Sequence, residues 1–536
     1  MSGQKSLKVC VVGAGVSGLV ALKELLQEGH RVTCLEKEAE IGGTFASGVA
    51  YNDMRLTVSQ YFMAYSSLPP PLEQPRYHWT REEYLAYLRA FCDRFALKKH
   101  IRCNAPVGAI HRRSDGSFGV EVRQGSKTVT ESFDAVAICK GPFRSTSPRM
   151  PILAGAETFA GDIVHTATYK DAAAFKGKRV VCIGMGETAA DVTKQISEVA
   201  SQCWLSMRSY PHLLARRPYG QSEPNDVFSA RITLWLPHEQ MLEAHQRYRR
   251  TDQESSDPHR QLIAEWHHKS GQGKFIQKND EFVGNVLAGK IRVVPHAVQR
   301  VQDSTVFFAD GTSVEADVIM CCTGYEEGAI PEDWLADFNI PDVRQLFKHA
   351  FHPDLGPRFA LIGWARPMQG GVPACSEMVS RYFALLCSDK RELPSASEMR
   401  RIIREDAMRE EAMFHNSPYI RTLVEYVSYM DGMGALVDCL PRLGDYLGEP
   451  QLLFRLLCGS ALSITYRLRG PHADPDMARR VIMNLPVARL AIMPDMVPAA
   501  LAGRVDAAVI PAIQDIVARG LDEAWASSGP REAMFE

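Results

Sequence analysis

Two glycine-rich hexapeptides, Gly13-Ala14-Gly15-Val16-Ser17-Gly18 and Gly184-Met185-Gly186-Glu187-Thr188-Ala189, occur in one chain. Missing side chains let a pyrophosphate approach backbone N–H groups at a helix N-terminus, where the helix dipole favours negative charge. Beyond the first hexapeptide a strand ends at Glu36, whose carboxylate suits free ribose hydroxyls; beyond the second a strand ends near Arg208. A carboxylate would repel a 2'-phosphate, whereas Arg208 offers it planar donors and Ser206 an extra one. The pair therefore implies two different dinucleotides, and FAD and NADPH fit. Gly13, Gly15, Gly18 and Glu36 are the candidate FAD residues, and Gly184, Gly186, Thr188, Ser206 and Arg208 the candidate NADPH residues.

Such loops work only between a strand and a helix. Val9 to Val12 reads as a short apolar strand, and Leu19, Leu22, Leu25 and Leu26 then recur at helical spacing until Gly29; Arg31 to Leu35 is the next strand. The same grammar returns at Arg179 to Ile183, with a helix through Ala190 and Ile196 and a strand at Trp204 to Met207. Between the units, Tyr84, Leu85, Leu88 and Phe91 suggest an amphipathic helix, Ser117 to Val122 and Thr128 to Phe133 a hairpin, and Ala135 to Cys139 a buried return strand. A second hairpin around Asp310-Gly311 and a return strand at Val318 to Met320 repeat the plan. The expected fold is α/β, with two Rossmann-like dinucleotide-binding domains and a helical C-terminal extension. Its expected bounds are 1–145 for the first part of the FAD domain, 146–325 for the NADPH domain with an insertion at about 210–275, 326–390 for the returning FAD part, and 391–536 for the extension.

Composition narrows the partners. The 536 residues exceed what one hydrophobic core organises, and 46% hydrophobic against 23% charged residues is a globular balance. A net charge of -2 supplies no basic field, which argues against nucleic acid. A polar start at Met1 to Lys8, thirteen cysteines without a CxxC, and a longest apolar tail stretch confined between Arg455 and Arg467 together point to a cytoplasmic protein with no transmembrane anchor. His267-His268 and the pair His349 and His352 lack a third ligand, so no metal is expected. A homo-oligomer is compatible with this composition.

Between the loops, Phe159, Gly161, His165 and Tyr169 fit the pattern FxGxxxHxxx[FY]. With both loops, Gly42-Gly43, Lys278-Asn279, Thr323-Gly324-Tyr325 and Gly370-Gly371-Val372-Pro373 followed by Glu377 and Arg381, the chain resembles class B flavin-dependent monooxygenases. It is most similar to the flavin-containing monooxygenase branch, because Tyr169 stands where the Baeyer-Villiger signature has Trp. The resemblance adds Gly43, Lys278, Asn279, Thr323 and Gly324 as cofactor-binding candidates, and implies that Phe159, Gly161, His165 and Tyr169 lie between the two nucleotide domains.

The implied activity is an NADPH- and FAD-dependent monooxygenase that inserts one atom of O2 into a small-molecule substrate through a C4a-(hydro)peroxyflavin, by N- or S-oxygenation. The cofactor carries the difficult chemistry. The family's flavin-adjacent Asn is replaced by Val58, which leaves Ser59 and Gln60 as the polar candidates beside the flavin and keeps Baeyer-Villiger oxygenation of a ketone as an alternative. Lys140 also departs from the family's usual Thr. A flavin-loaded sensor or interaction protein is the alternative of another class. Dithiol chemistry would rest on Cys321-Cys322 alone.

Overall fold

The computed structural model describes residues 6–526 apart from 72–76, 218–222, 238, 242–254, 271–275, 328–329, 332, 337, 339–341, 415–420 and 488–493. Two five-stranded sheets, parallel throughout, organise it. In the first, Lys8–Val12 lies between Arg31–Leu35 and Ala135–Ile138, with Ile101–Arg102 and Phe359–Leu361 at the edges. In the second, Arg179–Ile183 lies between Gln202–Ser206 and Val318–Cys321, with Arg292–Val294 and Asp162–His165 at the edges. Each central strand is buried on both faces and reads as an apolar run, as parallel sheets require.

Each sheet carries a three-stranded antiparallel excursion before its return strand. The first comprises Val107–Arg112, Phe118–Gln124 and Lys127–Phe133; the second comprises Val298–Gln302, Thr305–Phe308 and Ser313–Glu315. The amphipathic helix is present at Arg81–Arg94, opened by a capping box between Thr80 and Glu83.

The inserted stretch is not wholly helix and loop. His212–Leu213 pairs in parallel with Ile276–Gln277, and this short ribbon frames the helices Arg231–Leu234 and Pro258–Ser270. The extension is helical, and its apolar residues merge into the core beneath the first sheet rather than forming a separate one.

Arg467 of the extension fastens that junction. Buried, it reaches Glu24 at 2.9 Å on the helix Val16–Gln27 and Glu377 at 2.7 Å on the helix Val372–Cys387. Glu377 also takes hydrogen bonds from the backbone N–H and hydroxyl of Ser66, while Arg381 donates to the carbonyls of Tyr466 and Pro471. Burial works to raise the Glu24 carboxyl, but Arg467 and Lys23 override it and hold the group at about 2. Among the described residues no helix is long and apolar enough to cross a membrane.

Candidate active site

The first loop leaves its strand at Gly13, with φ of 103°, and enters the helix Val16–Gln27 through Gly15. A Cβ on Gly18 would stand 1.7 Å from the Gly13 carbonyl oxygen, so the third glycine is demanded by the packing of helix on loop. Gly15 faces Gly43, whose Cα lies 3.3 Å from where a Cβ would sit, so these two glycines form one bare surface. Glu36 is buried beside it. It accepts the N–H of Ala14 at 2.6 Å and of Glu38 at 2.9 Å, and each carboxylate oxygen keeps a lone pair for a ribose hydroxyl.

The second loop repeats this geometry. Gly184 has φ of 107°, and a Cβ there would meet the Cys322 carbonyl at 2.7 Å, whereas one on Gly186 would meet nothing within 4 Å. The open side of Gly186 is the side a pyrophosphate needs. Thr188 is exposed in the first turn of the helix Glu187–Ser197, and Arg208 is exposed past the strand end, making no hydrogen bond or ion pair among the described residues. Ser206 differs from expectation: its hydroxyl donates to the His296 carbonyl at 2.7 Å, so that donor is already committed. Both cradles fit the groups expected of them. FAD bound at the first would supply the redox and oxygen chemistry, and NADPH held at the second would supply hydride.

The structure places the fingerprint residues at the seam of the second sheet. A Cβ on Gly161 would stand 2.3 Å from the Asp317 carbonyl, and Phe159 bridges to Asp303. His165 is buried, and its Nδ1 accepts the Ala167 N–H at 3.0 Å, a turn-capping role. Burial lowers its affinity for protons. Tyr169 donates to Gln195 at 2.7 Å and sets its ring edge-on against Tyr51, 5.9 Å between centroids. Thr323 donates to the Arg149 carbonyl, and Gly324 accepts the Arg149 N–H at 2.9 Å, so this pair ties together the crossings between the two sheets. Lys140 rests its ammonium 5.0 Å over the Trp364 ring, a cation–π contact that gives the departure a physical account.

Tyr51 leads to a buried network that the sequence did not reveal. Its hydroxyl donates to Asp191 at 2.5 Å, and Asp191 also accepts from Asn279 and lies 3.5 Å from Arg216, which pairs with Glu281 at 2.7 Å. Asn279 is therefore turned to the second-loop helix as a brace. The only available signal was Asp191 standing four residues after Glu187 on a helix face otherwise buried.

Beside this brace lie Glu187, Lys278 and Asp226. Glu187 accepts the backbone N–H of Lys278 at 2.6 Å with one oxygen, and its other oxygen is buried without a partner. Asp226 is 6% exposed; one oxygen accepts the backbone N–H of Ser59 and the other has no partner. Ser59 stands just before the short helix Gln60–Met63 without capping it, and its hydroxyl and both amide atoms of Gln60 are likewise buried and unpartnered. Val58 packs into the core and offers nothing polar. The Lys278 ammonium senses Asp226 and Glu187 through space without an ion pair among the described residues. Burial raises both carboxyls, Glu187 to about 7, and lowers Lys278. Nearby His78 is pushed down to about 3 by burial and then by Arg216, Arg217, Lys278 and Arg55. Asp226 follows Pro224-Asn225, which reads as turn chemistry, so sequence gave it no prominence.

The two cradles and the polar junction coincide with a family match. Residues 6–493 match the flavin-binding monooxygenase-like family. The chain belongs to it. It is 38% identical to a 4-hydroxybenzoate brominase (decarboxylating) of Marinomonas mediterranea, over 89% of this chain and 93% of that protein. A protein of the same description from Pseudoalteromonas luteoviolacea is 34% identical over 89% and 93%, and dimethylaniline monooxygenase [N-oxide-forming] 2 of Oryctolagus cuniculus 29% over 87% and 89%. Among solved structures, S-allyl-L-cysteine S-oxygenase of Allium sativum shares the fold, with a TM-score of 0.60 at 20% identity, covering 89% of this chain and 98% of that one. The protein is thus a flavin-dependent monooxygenase using FAD and NADPH. All thirteen cysteines are free, and no metal-binding group of side chains occurs among the described residues.

Proposed function

We propose that the chain uses NADPH and O2 to oxidise a halide and halogenate a hydroxylated aromatic acid, with loss of its carboxyl group. The observation that carries this reading is the likeness, at 38% and 34% identity over nearly the full chain, to two proteins described as 4-hydroxybenzoate brominases. The junction supports it, because the buried, unpartnered oxygens of Asp226 and Glu187 call for a ligand that donates hydrogen bonds, which a hydroxylated acid offers and a sulfide does not. The balance is complete: bromide, O2, NADPH and two protons give hypobromous acid, NADP+ and water, and the hypobromous equivalent then exchanges for the aryl carboxylate to give aryl bromide, CO2 and hydroxide.

The residues divide the labour. Gly13, Gly15, Gly18, Gly43 and Glu36 hold FAD; Gly184, Gly186, Thr188 and Arg208 hold NADPH; Ser59 and Gln60 face the reacting centre. Holding these groups in a fixed, dry site protects the oxidised intermediates from water. N- or S-oxygenation is the second reading, favoured by the 29% identity to an N-oxide-forming enzyme.

The test is NADPH oxidation by the flavin-loaded protein against 4-hydroxybenzoate with bromide, a tertiary amine, a sulfide and a cyclic ketone, with peroxide and product masses followed. Bromophenol and CO2 formed only with bromide support halogenation. An N-oxide or sulfoxide as the sole coupled product overturns it in favour of the second reading, and a lactone in favour of ketone oxygenation.

A further inference from the structure

The orphaned atoms at the junction comprise both donors and acceptors, and that mixture specifies a ligand. Asp226 spends one carboxylate oxygen on Ser59 and leaves the other buried and unpaired. Buried polar groups are almost always satisfied, so each such atom calls for a partner. Glu187 shows the same division of its two oxygens. Arg216 is occupied by Asp191 and Glu281, and Lys278, which senses both Asp226 and Glu187, makes no ion pair with a carboxylate among the described residues. Lys278 sits between the buried Gln277 and Asn279, and burial of its ammonium favours the uncharged form unless an anion joins it.

A halide has only acceptor character and would leave the free Asp226 oxygen wanting a donor. A neutral phenol would leave Lys278 wanting an anion. A hydroxylated aromatic carboxylate satisfies both, with its two functions held apart by a ring, as Asp226 and Lys278 are held apart beyond ion-pair distance yet within each other's field.

We propose that Asp226 and Lys278 are the two poles of the organic substrate's subsite: the Lys278 ammonium holds the carboxylate, and the free Asp226 oxygen accepts the phenolic O–H. Proton transfer from that hydroxyl to Asp226 leaves a phenolate and a neutral carboxyl, and it directs ring electron density toward the electrophile. This rests on the aromatic-acid reading above. It also explains why an inserted segment reaches across to Ser59: the residue that reads the substrate fixes the polypeptide beside the flavin.

The experiment measures ligand binding to the oxidised, FAD-loaded protein without NADP+, by calorimetry and by the ultraviolet shift of phenol to phenolate. 4-Hydroxybenzoate and benzoate are the probes, with Asp226→Asn and Lys278→Met as variants. Asp226→Asn keeps an acceptor for Ser59, and unchanged FAD content and melting temperature certify both folds. 4-Hydroxybenzoate is expected to weaken at least tenfold in each variant, whereas benzoate weakens only with Lys278→Met, and the phenolate signature disappears with Asp226→Asn. Wild-type affinity for 4-hydroxybenzoate in both variants overturns the subsite, as does equal loss of benzoate in Asp226→Asn. Product analysis separates the two claims: tight 4-hydroxybenzoate binding without any brominated product keeps the subsite and discards halogenation, while bromination by variants that bind normally does the reverse.

Discussion

Arg467 lies 2.9 Å from Glu24 and 2.7 Å from Glu377, one buried guanidinium bridging the helix Val16–Gln27 and the helix Val372–Cys387. Removing that cation would leave Glu24 to Lys23 alone and Glu377 with only the N–H and hydroxyl of Ser66, an anion without an ion pair among the described residues. Arg467→Met is expected to cost about 3–5 kcal/mol, the usual penalty for breaking a buried pair, read by denaturant unfolding with the FAD retained. Restoring charge balance with Glu24→Gln and Glu377→Gln should recover much of the loss.

The same bridge sets an acid response. Glu24 is held at about 2 in the folded protein, below the unfolded value of about 4.3, so its contribution is fully present above the unfolded value and is lost as pH falls toward the folded one. Glu24→Gln should therefore flatten the decline of the melting temperature between about pH 4.3 and about 2. An unchanged slope would show that other carboxylates govern acid unfolding.

Glu187 predicts the opposite sign. Burial raises its carboxyl to about 7, so the folded state binds a proton that the unfolded state releases, and stability is lost as pH climbs from the unfolded value through the folded one. Glu187→Gln should melt higher than the parent at pH 8 and no differently at pH 4. Infrared detection of a carboxyl band that vanishes near neutrality, and is absent from the variant, checks the assignment.

The second loop offers a contrast between neighbours. Gly184→Ala forces a Cβ to 2.7 Å from the Cys322 carbonyl at a positive φ, so the loop itself must shift and yield of folded protein should drop. Gly186→Ala meets nothing within 4 Å, so melting should stay within about 1 kcal/mol of wild type while KM for NADPH rises.

Arg208 should decide between the two nicotinamide cofactors. Loss of a charge-assisted hydrogen bond costs about 1.5–3 kcal/mol, so Arg208→Ala is expected to raise KM for NADPH about tenfold to a hundredfold and leave NADH use unchanged. Equal effects on both cofactors would place the 2'-phosphate elsewhere.

The sequence made the cradles legible because each loop glycine answers a local demand: Gly18 abuts Gly13 and Gly184 abuts Cys322, and a strand-turn-helix pattern announces both. Local pattern cannot announce a contact between distant segments. Asp226 touches Ser59, Tyr51 touches Asp191, and Arg467 touches Glu24, each pair joining stretches far apart in the chain. Ser206 was legible as a polar residue at the correct strand end, but its partner on a later loop, the His296 carbonyl, was not.

The strand Phe359–Leu361 completes the sheet begun at Lys8–Val12 by lining up beside Ala135–Ile138. During synthesis, every strand of the second sheet must therefore emerge before the first sheet can close, leaving one flank of Ala135–Ile138 uncovered meanwhile. A nascent chain stalled short of residue 359 would expose a bare hydrogen-bonding rim, a natural target for chaperones and a hazard for self-association.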